Sequence, residues 1–113
     1  VWLVDFDPTR GAEIQKTRPA VVVSVDTVGR LPLKIVVPIT DWKPFYTDVE
    51  WFVRLIPSTT NGLSKESGAD TFQTKSMSTD RFAQKIGVLT DDEMRAIAAA
   101  IATSVGYKLK TNN

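Results

Sequence analysis

The 113-residue chain contains no cysteine and no histidine. Without cysteine there is no disulfide framework, no thiolate nucleophile and no Cys-ligated zinc. Without histidine the usual general base near neutral pH and the commonest metal ligand are both gone. Any catalysis must come from Arg, Lys, Thr, Ser, Tyr or carboxylates. Long apolar runs are missing too. None approaches the roughly 18–20 residues of a membrane span, and no signal-peptide pattern is present. The chain opens on Val1 inside a run that already reads as a strand, so a few residues are expected to precede it. A reducing, cytoplasmic compartment is the expectation. Excess charge is also absent. A net charge of +1 and an isoelectric point of 8.2 do not match a protein that coats nucleic acid non-specifically, although a local basic groove stays open.

What is present is an ordinary globular composition, 42% hydrophobic and 24% charged, in a length that fits a single domain over residues 1–113. Residues 1–6 alternate, with Trp2, Val4 and Phe6 on one face of a strand and Val1, Leu3 and Asp5 on the other. Asp7-Pro8-Thr9-Arg10-Gly11 breaks that strand, and a polar loop runs on to Arg18. Pro19 forces Arg18 into an extended conformation, so Arg18 stands at a fixed junction of loop and strand.

Residues 20–25 form a β-branched run that reads as a central strand, and 26–32, with Gly29 and Pro32, as a turn. Residues 33–40 form a third strand, in which Pro38 implies an edge position or a bulge because its nitrogen cannot donate. After an aromatic loop holding Trp42, Phe45 and Tyr46, residues 48–56 alternate. Val49, Trp51, Val53 and Leu55 face one way, Glu50, Phe52 and Arg54 the other. A polar loop over 57–68 leads to a short strand at 70–75, a capped turn at Ser78-Thr79-Asp80, and a last strand at 85–89.

Thr90-Asp91-Asp92-Glu93 is a capping box, and the three carboxylates complement a helix macrodipole; this explains them better than a metal does. The helix behind it carries Met94, Ile97, Ala98, Ile101 and Val105 on one stripe and stops at Gly106, and residues 108–113 read as a fraying tail. Five or six short strands and one terminal helix, without βαβ alternation, exclude a parallel Rossmann-type sheet. They point to a mainly β fold: a small, curved antiparallel sheet or barrel with a helix packed on it.

Lys16, Arg18, Lys75, Arg81 and Lys85 stand near strand ends among Thr17, Thr40, Gln73, Ser76 and Thr79. Composition alone would make these solvated surface. Arg18 differs because it is held before Pro19 and a wholly apolar strand, and a rigid guanidinium with its planar donor fork suits phosphate.

These residues also carry a resemblance. Phe6-Asp7-Pro8-Thr9-Arg10-Gly11-Ala12-Glu13, Thr17-Arg18-Pro19-Ala20-Val21-Val22-Val23-Ser24, Val37-Pro38-Ile39-Thr40 and Gln73-Thr74-Lys75-Ser76 are together similar to the MazF/PemK family of toxin endoribonucleases, over essentially the whole chain. The resemblance implies an SH3-like curved antiparallel barrel of the CcdB/PemK type with a C-terminal α-helix, acting as a homodimer. It implies metal-independent, sequence-specific cleavage of single-stranded mRNA by 2′-hydroxyl attack, giving 2′,3′-cyclic phosphate and 5′-hydroxyl ends. No cofactor and no metal are expected, nor any membrane partner. The implied partners are single-stranded RNA and a cognate antitoxin whose disordered segment wraps the toxin.

By position, Arg18 and Thr40 are the implied catalytic pair, and Glu13, Lys16, Thr17, Gln73, Lys75 and Ser76 the implied RNA contacts. The chain departs from the family pattern at Phe72, where some members carry an acid, and at Ala12, where some carry His. Glu13 is then the nearest carboxylate for the role of base. Two other readings compete, a non-catalytic CcdB-like gyrase-binding toxin and a nucleic-acid-binding module without catalysis.

Overall fold

The computed structural model describes residues 1–26 and 31–107. Its strands are β1 (Trp2–Asp5), β2 (Thr17–Val22), β3 (Leu33–Asp41), β4 (Phe52–Leu55), β5 (Ser67–Asp70), β6 (Lys75–Ser78) and β7 (Phe82–Lys85), followed by the helix α1 (Asp91–Ser104). Short 3-10 turns cover Pro44–Asp48, Thr71–Gln73 and Thr79–Arg81. All pairings are antiparallel, in the order β4-β5-β3-β2-β1-β7, with β6 also paired to β3. The mainly β class with a terminal helix is as expected, with seven strands described rather than five or six. Among the described residues no helix is long and apolar enough to cross a membrane.

Strand alternation divides the apolar residues between two cores. Val4, Phe6, Ala20, Val36 and Met77 fill one, joined by Trp2 and Phe82, whose rings meet edge-on at 5.7 Å. Val1, Val21, Val37, Ile39, Leu55, Ala69, Leu89 and Ile97 fill the other. With both faces of β2 and β3 covered, these strands read as continuous apolar runs instead of alternating ones. The helix closes the second core through Ile97, which is fully buried. It starts where the capping box places it: Glu93 N donates to Thr90 Oγ1 at 3.1 Å, and Thr90 N donates to Glu93 Oε1 at 2.9 Å. It ends before Gly106, whose φ of 81° only glycine adopts readily. Val105 belongs to the solvent rather than to the apolar stripe; it is 78% exposed, just past the last turn.

Several boundaries differ from the sequence reading. β2 begins at Thr17 and ends at Val22, so Arg18 and Pro19 lie inside the strand instead of before it. Pro38 sits in a central strand. β3 pairs with β2 on one flank, and on the other with β6 through Leu33–Val36 and with β5 from Ile39. Val37 and Pro38 fall between those two ladders, where a missing N–H donor costs nothing.

The strand expected at 70–75 is instead the Thr71–Gln73 turn. Phe72 N donates to Asp70 Oδ1 and Thr74 Oγ1 to Thr71 O within the turn, Thr71 Oγ1 donates to Trp51 O across 20 residues, and these bonds win over a ladder. The strand expected at 85–89 lies at Phe82–Lys85. Beyond it Ile86 N donates to Val1 O and Val88 N to Thr60 O, which draws the chain off toward the 57–66 loop. The alternating segment at 48–56 is paired only over Phe52–Leu55. Gly29 of the expected turn and the 108–113 tail lie outside the described residues.

Candidate active site

Arg18 is the second residue of β2 and stands opposite Val4 of β1. On its other side the β2–β3 ladder ends at the pair Ala20 and Pro38. Continued by two residues, that register would set Arg18 against Thr40. There, however, β3 has turned to its other partner, and Thr40 is paired with Gly68 of β5. Where β2 and β3 part, a cleft of about 360 Å³ opens, lined by Leu3, Arg18, Pro19, Ile39, Thr40, Asp41 and the segment from Gly62 to Lys65. The two residues singled out as a catalytic pair therefore line the same cleft.

Arg18 Nε donates to Gln15 O at 2.8 Å, which fixes the plane of the guanidinium. Its two terminal nitrogens engage no acceptor among the described residues, so the donor fork is available for a bidentate anion. Sequence reasoning missed two charged residues of the cleft. Lys65 Nζ lies 3.1 Å from Asp41 Oδ2 on its rim, both side chains being about half exposed. No local motif could have revealed them, because the register of β3 on β5, Asp41 opposite Ser67, brings together residues 24 apart in the chain.

A row runs across the sheet from Thr40 through Gly68 to Arg54. A Cβ on Gly68 would stand 3.1 Å from the Trp42 ring and 3.2 Å from Phe52, so this glycine makes room for aromatic rings. The Arg54 guanidinium lies over Trp42, 5.6 Å from its centroid, and is ion-paired with Glu66. Tyr46 stacks on Phe52 at 3.8 Å and meets Trp42 edge-on. Of the loop aromatics, Phe45 projects to solvent at 69% exposure.

The expected RNA contacts do not converge on one place. Glu13, Gln73 and Lys75 line a second cavity of about 430 Å³, floored by Phe6, Ile14 and Pro38 and walled by Phe72. Pro38 lies two residues before Thr40 on the same strand face, about 7 Å away, so the cavity and the cleft adjoin along β3. Glu13 Oε1 accepts from Arg10 N at 2.8 Å, and its other oxygen lies 3.9 Å from Lys75 Nζ. Gln73 is engaged at both ends of its amide, to Asp70 and to the Ile14 N–H. Burial pushes the Asp70 carboxyl above the usual carboxylate value, and hydrogen bonds from Gln73 and Phe72 oppose that shift. Lys16 is exposed and has a left-handed backbone with φ of 67°, held by Lys16 N donating to Asp7 Oδ1. Thr17 lines a third hollow with Asp5, Asp7 and Arg81, away from the cleft. Ser76 is exposed opposite Ile35 in β6.

Comparison with known proteins gives consistent matches. A family model described as "PemK-like, MazF-like toxin of type II toxin-antitoxin system" matches residues 1–105. The chain is 34% identical over 107 residues to the endoribonuclease MazF9 of Mycobacterium tuberculosis, covering 89% of this chain and 88% of that protein. The solved structure of the Mycobacterium tuberculosis toxin MazF-mt6 aligns with a TM-score of 0.75 at 21% identity, covering 96% of this chain and 97% of that one. An endoribonuclease in complex with its cognate antitoxin, from a mycobacterial species, aligns with a TM-score of 0.74 at 18% identity, covering 97% and 94%. These two structures carry the likeness of fold.

Proposed function

The chain belongs to the PemK-like, MazF-like toxins of type II toxin–antitoxin systems and is an endoribonuclease of that kind; from this premise we propose how it cuts. The substrate is single-stranded mRNA, read at a short sequence, and the reaction needs no metal. The 2′-hydroxyl beside the scissile phosphate attacks phosphorus, the 5′-oxygen leaves and takes a proton from water in the open cleft, and the products carry a 2′,3′-cyclic phosphate and a 5′-hydroxyl. The observation that carries this reading is the cleft lined by both Arg18 and Thr40.

Such a reaction needs no protein nucleophile, so a chain without cysteine or histidine is equipped for it. It needs stabilisation of the charge that grows on the phosphorane, and preorganised donors aimed at that charge supply it. The Arg18 fork binds two of its oxygens. Arg18 presents donors to that charge and stabilises it; it is not the proton donor of the reaction. Thr40 orients the phosphate through its hydroxyl. The 2′-hydroxyl proton goes to Asp41, a carboxylate lining the cleft, whereas Glu13 lines the neighbouring cavity. Glu13, Lys75 and the exposed Lys16 act on the flanking nucleotides, as does Phe45 through stacking. The chain works as a homodimer in the cytoplasm and is silenced by a cognate antitoxin that covers the site.

The test is an RNA oligonucleotide and its analogue with a single 2′-deoxy sugar at the cleaved nucleotide, both incubated with chelator. The RNA should be cut to a cyclic phosphate end and the analogue should stay intact. Cutting of the analogue would rule out 2′-hydroxyl attack.

A further inference from the structure

Gln73 joins two parts of the chain that lie far apart in sequence. Its Nε2 donates to Asp70 Oδ2 at 3.1 Å, and its Oε1 accepts from the backbone N–H of Ile14 at 2.6 Å, across 59 residues. Asp70 is only 6% exposed, and its other oxygen accepts from Phe72 N at 3.1 Å. An ionised carboxylate accepts and never donates, so the Gln73 amide must present its NH₂ to Asp70. Only then does the amide oxygen face Ile14. The residue after Ile14 is Gln15, whose carbonyl accepts from Arg18 Nε at 2.8 Å. One polar chain thus runs from buried Asp70 through Gln73, Ile14 and Gln15 to the guanidinium of Arg18.

We propose that Asp70 and Gln73 are positioning residues for Arg18: Asp70 sets which way the Gln73 amide points, and Gln73 holds the loop whose Gln15 carbonyl aims the guanidinium into the cleft. This rests on the assignment of Arg18 to the reaction. The alternative, that the pair only stabilises the fold, predicts the same loss of stability but no selective loss of turnover. A reacting group displaced by about 1 Å loses on the order of 10²-fold in rate, which makes aim a separable quantity.

The experiment uses two isosteric single variants and their combination. In Asp70→Asn one amide oxygen must serve two donors, so an NH₂ meets the Gln73 NH₂, or the Gln73 amide flips and faces the Ile14 N–H with a donor, or the new amide turns its NH₂ on the Phe72 N–H. In Gln73→Glu, two carboxylates oppose each other. In the double variant every bond returns, the one between positions 70 and 73 with its direction reversed. The new amide oxygen at position 70 accepts from Phe72 N, and the new amide NH₂ donates to the carboxylate at position 73. The second oxygen of that carboxylate accepts from Ile14 N.

The readouts are kcat and KM on one RNA oligonucleotide, with amide hydrogen exchange at Ile14. Each single variant should lower kcat by about tenfold or more with little change in KM, and should lose Ile14 protection. The double variant should restore both. Ile14 protection unchanged in the single variants would overturn the proposal, as would protection lost with kcat intact, or protection restored without kcat. Arg18→Ala run alongside separates the two levels. If that variant keeps full activity, the assignment of Arg18 fails, whereas the exchange data still report on the Asp70–Gln73 tie.

Discussion

Arg18 and Thr40 line one cleft although the ladder between their strands stops at Ala20 and Pro38, two residues short of both. Had β2 and β3 stayed paired, the two side chains would be ordinary cross-strand neighbours on a closed sheet. The parting of the strands opens a space between them, and the change of partner by β3 leaves Thr40 anchored on β5. Pro38 stands at the switch between the β6 and β5 ladders, where it has no hydrogen bond to lose on that flank.

Arg18→Ala should lower kcat for RNA by about 10²–10³-fold, the usual cost of removing a donor aimed at transition-state charge. Stability should hardly change, because among the described residues the side chain bonds only the Gln15 carbonyl, in an exposed loop. Arg18→Lys should recover little, since a point charge cannot replace a bidentate fork. Single-turnover cleavage together with thermal melts checks both halves. Near-normal turnover in the alanine variant would remove Arg18 from the reaction.

The carboxylate of the cleft, Asp41, and that of the adjoining cavity, Glu13, are distinguishable by kinetics. Asp41→Asn should reduce kcat by about 10²-fold, in the range for loss of a general base. It also leaves Lys65 without its partner at 3.1 Å. Lys65→Met therefore serves as the control for that ion pair, and it should cost far less. Glu13→Gln should act mainly on KM or on the preferred cleavage sequence, because Glu13 lies in the adjoining cavity and holds the Arg10 N–H. The reverse pattern would transfer the base to Glu13.

Asp70 makes stability depend on pH in a definite direction. Burial raises its carboxyl above the ordinary value of 3.8, so the folded chain keeps this proton to higher pH than the unfolded one. From 3.8 up through the raised value the folded state binds more protons, and stability falls as pH rises. The group's favourable contribution is complete below 3.8 and lost above the raised value. Asp70→Asn cannot titrate. The unfolding free energy of the wild type minus that of the variant, from denaturant titrations at several pH values, should decline across the window and flatten above it. A difference that rises with pH would mean that the hydrogen bonds from Gln73 and Phe72 outweigh burial.

Local chemistry made part of the structure legible in advance. The capping box at Thr90 and Glu93 needs only four residues, and the alternation of Trp2, Val4 and Phe6 needs only the strand period. The extended backbone of Arg18 could be argued from Pro19 alone. The segment from Asp70 to Ser78 could not be read, because Asp70 and Thr74 bond nearby backbone in place of a ladder, and Thr71 bonds the Trp51 carbonyl 20 residues away. Lys65 and Asp41 in the cleft, and the tie from Gln73 to Ile14, are products of long-range register. A motif can name residues of a site, but partners brought in by another strand or loop carry no local signal.

Gly68 is the position where packing and the site meet most closely. It is paired with both Thr40 and Arg54, and a Cβ there would stand 3.1 Å from Trp42 and 3.2 Å from Phe52. The Phe52 ring is already stacked on Tyr46 at 3.8 Å, and the Trp42 ring lies edge-on to Tyr46 and beneath Arg54, so neither is free to move alone. Gly68→Ala should therefore destabilise the fold by about 1–3 kcal/mol, the cost of overpacking. The strain should also reach Thr40, because relief by shifting β5 moves its paired neighbour on β3. The expected outcome is a lower melting temperature with a loss of kcat larger than the unfolded fraction explains. Trp42→Phe in the Gly68→Ala background replaces the indole that the new methyl meets most closely by a smaller ring and should recover part of both. If the double variant recovered stability but not turnover, Gly68 would be coupled to Thr40 through the β5 backbone rather than through the rings.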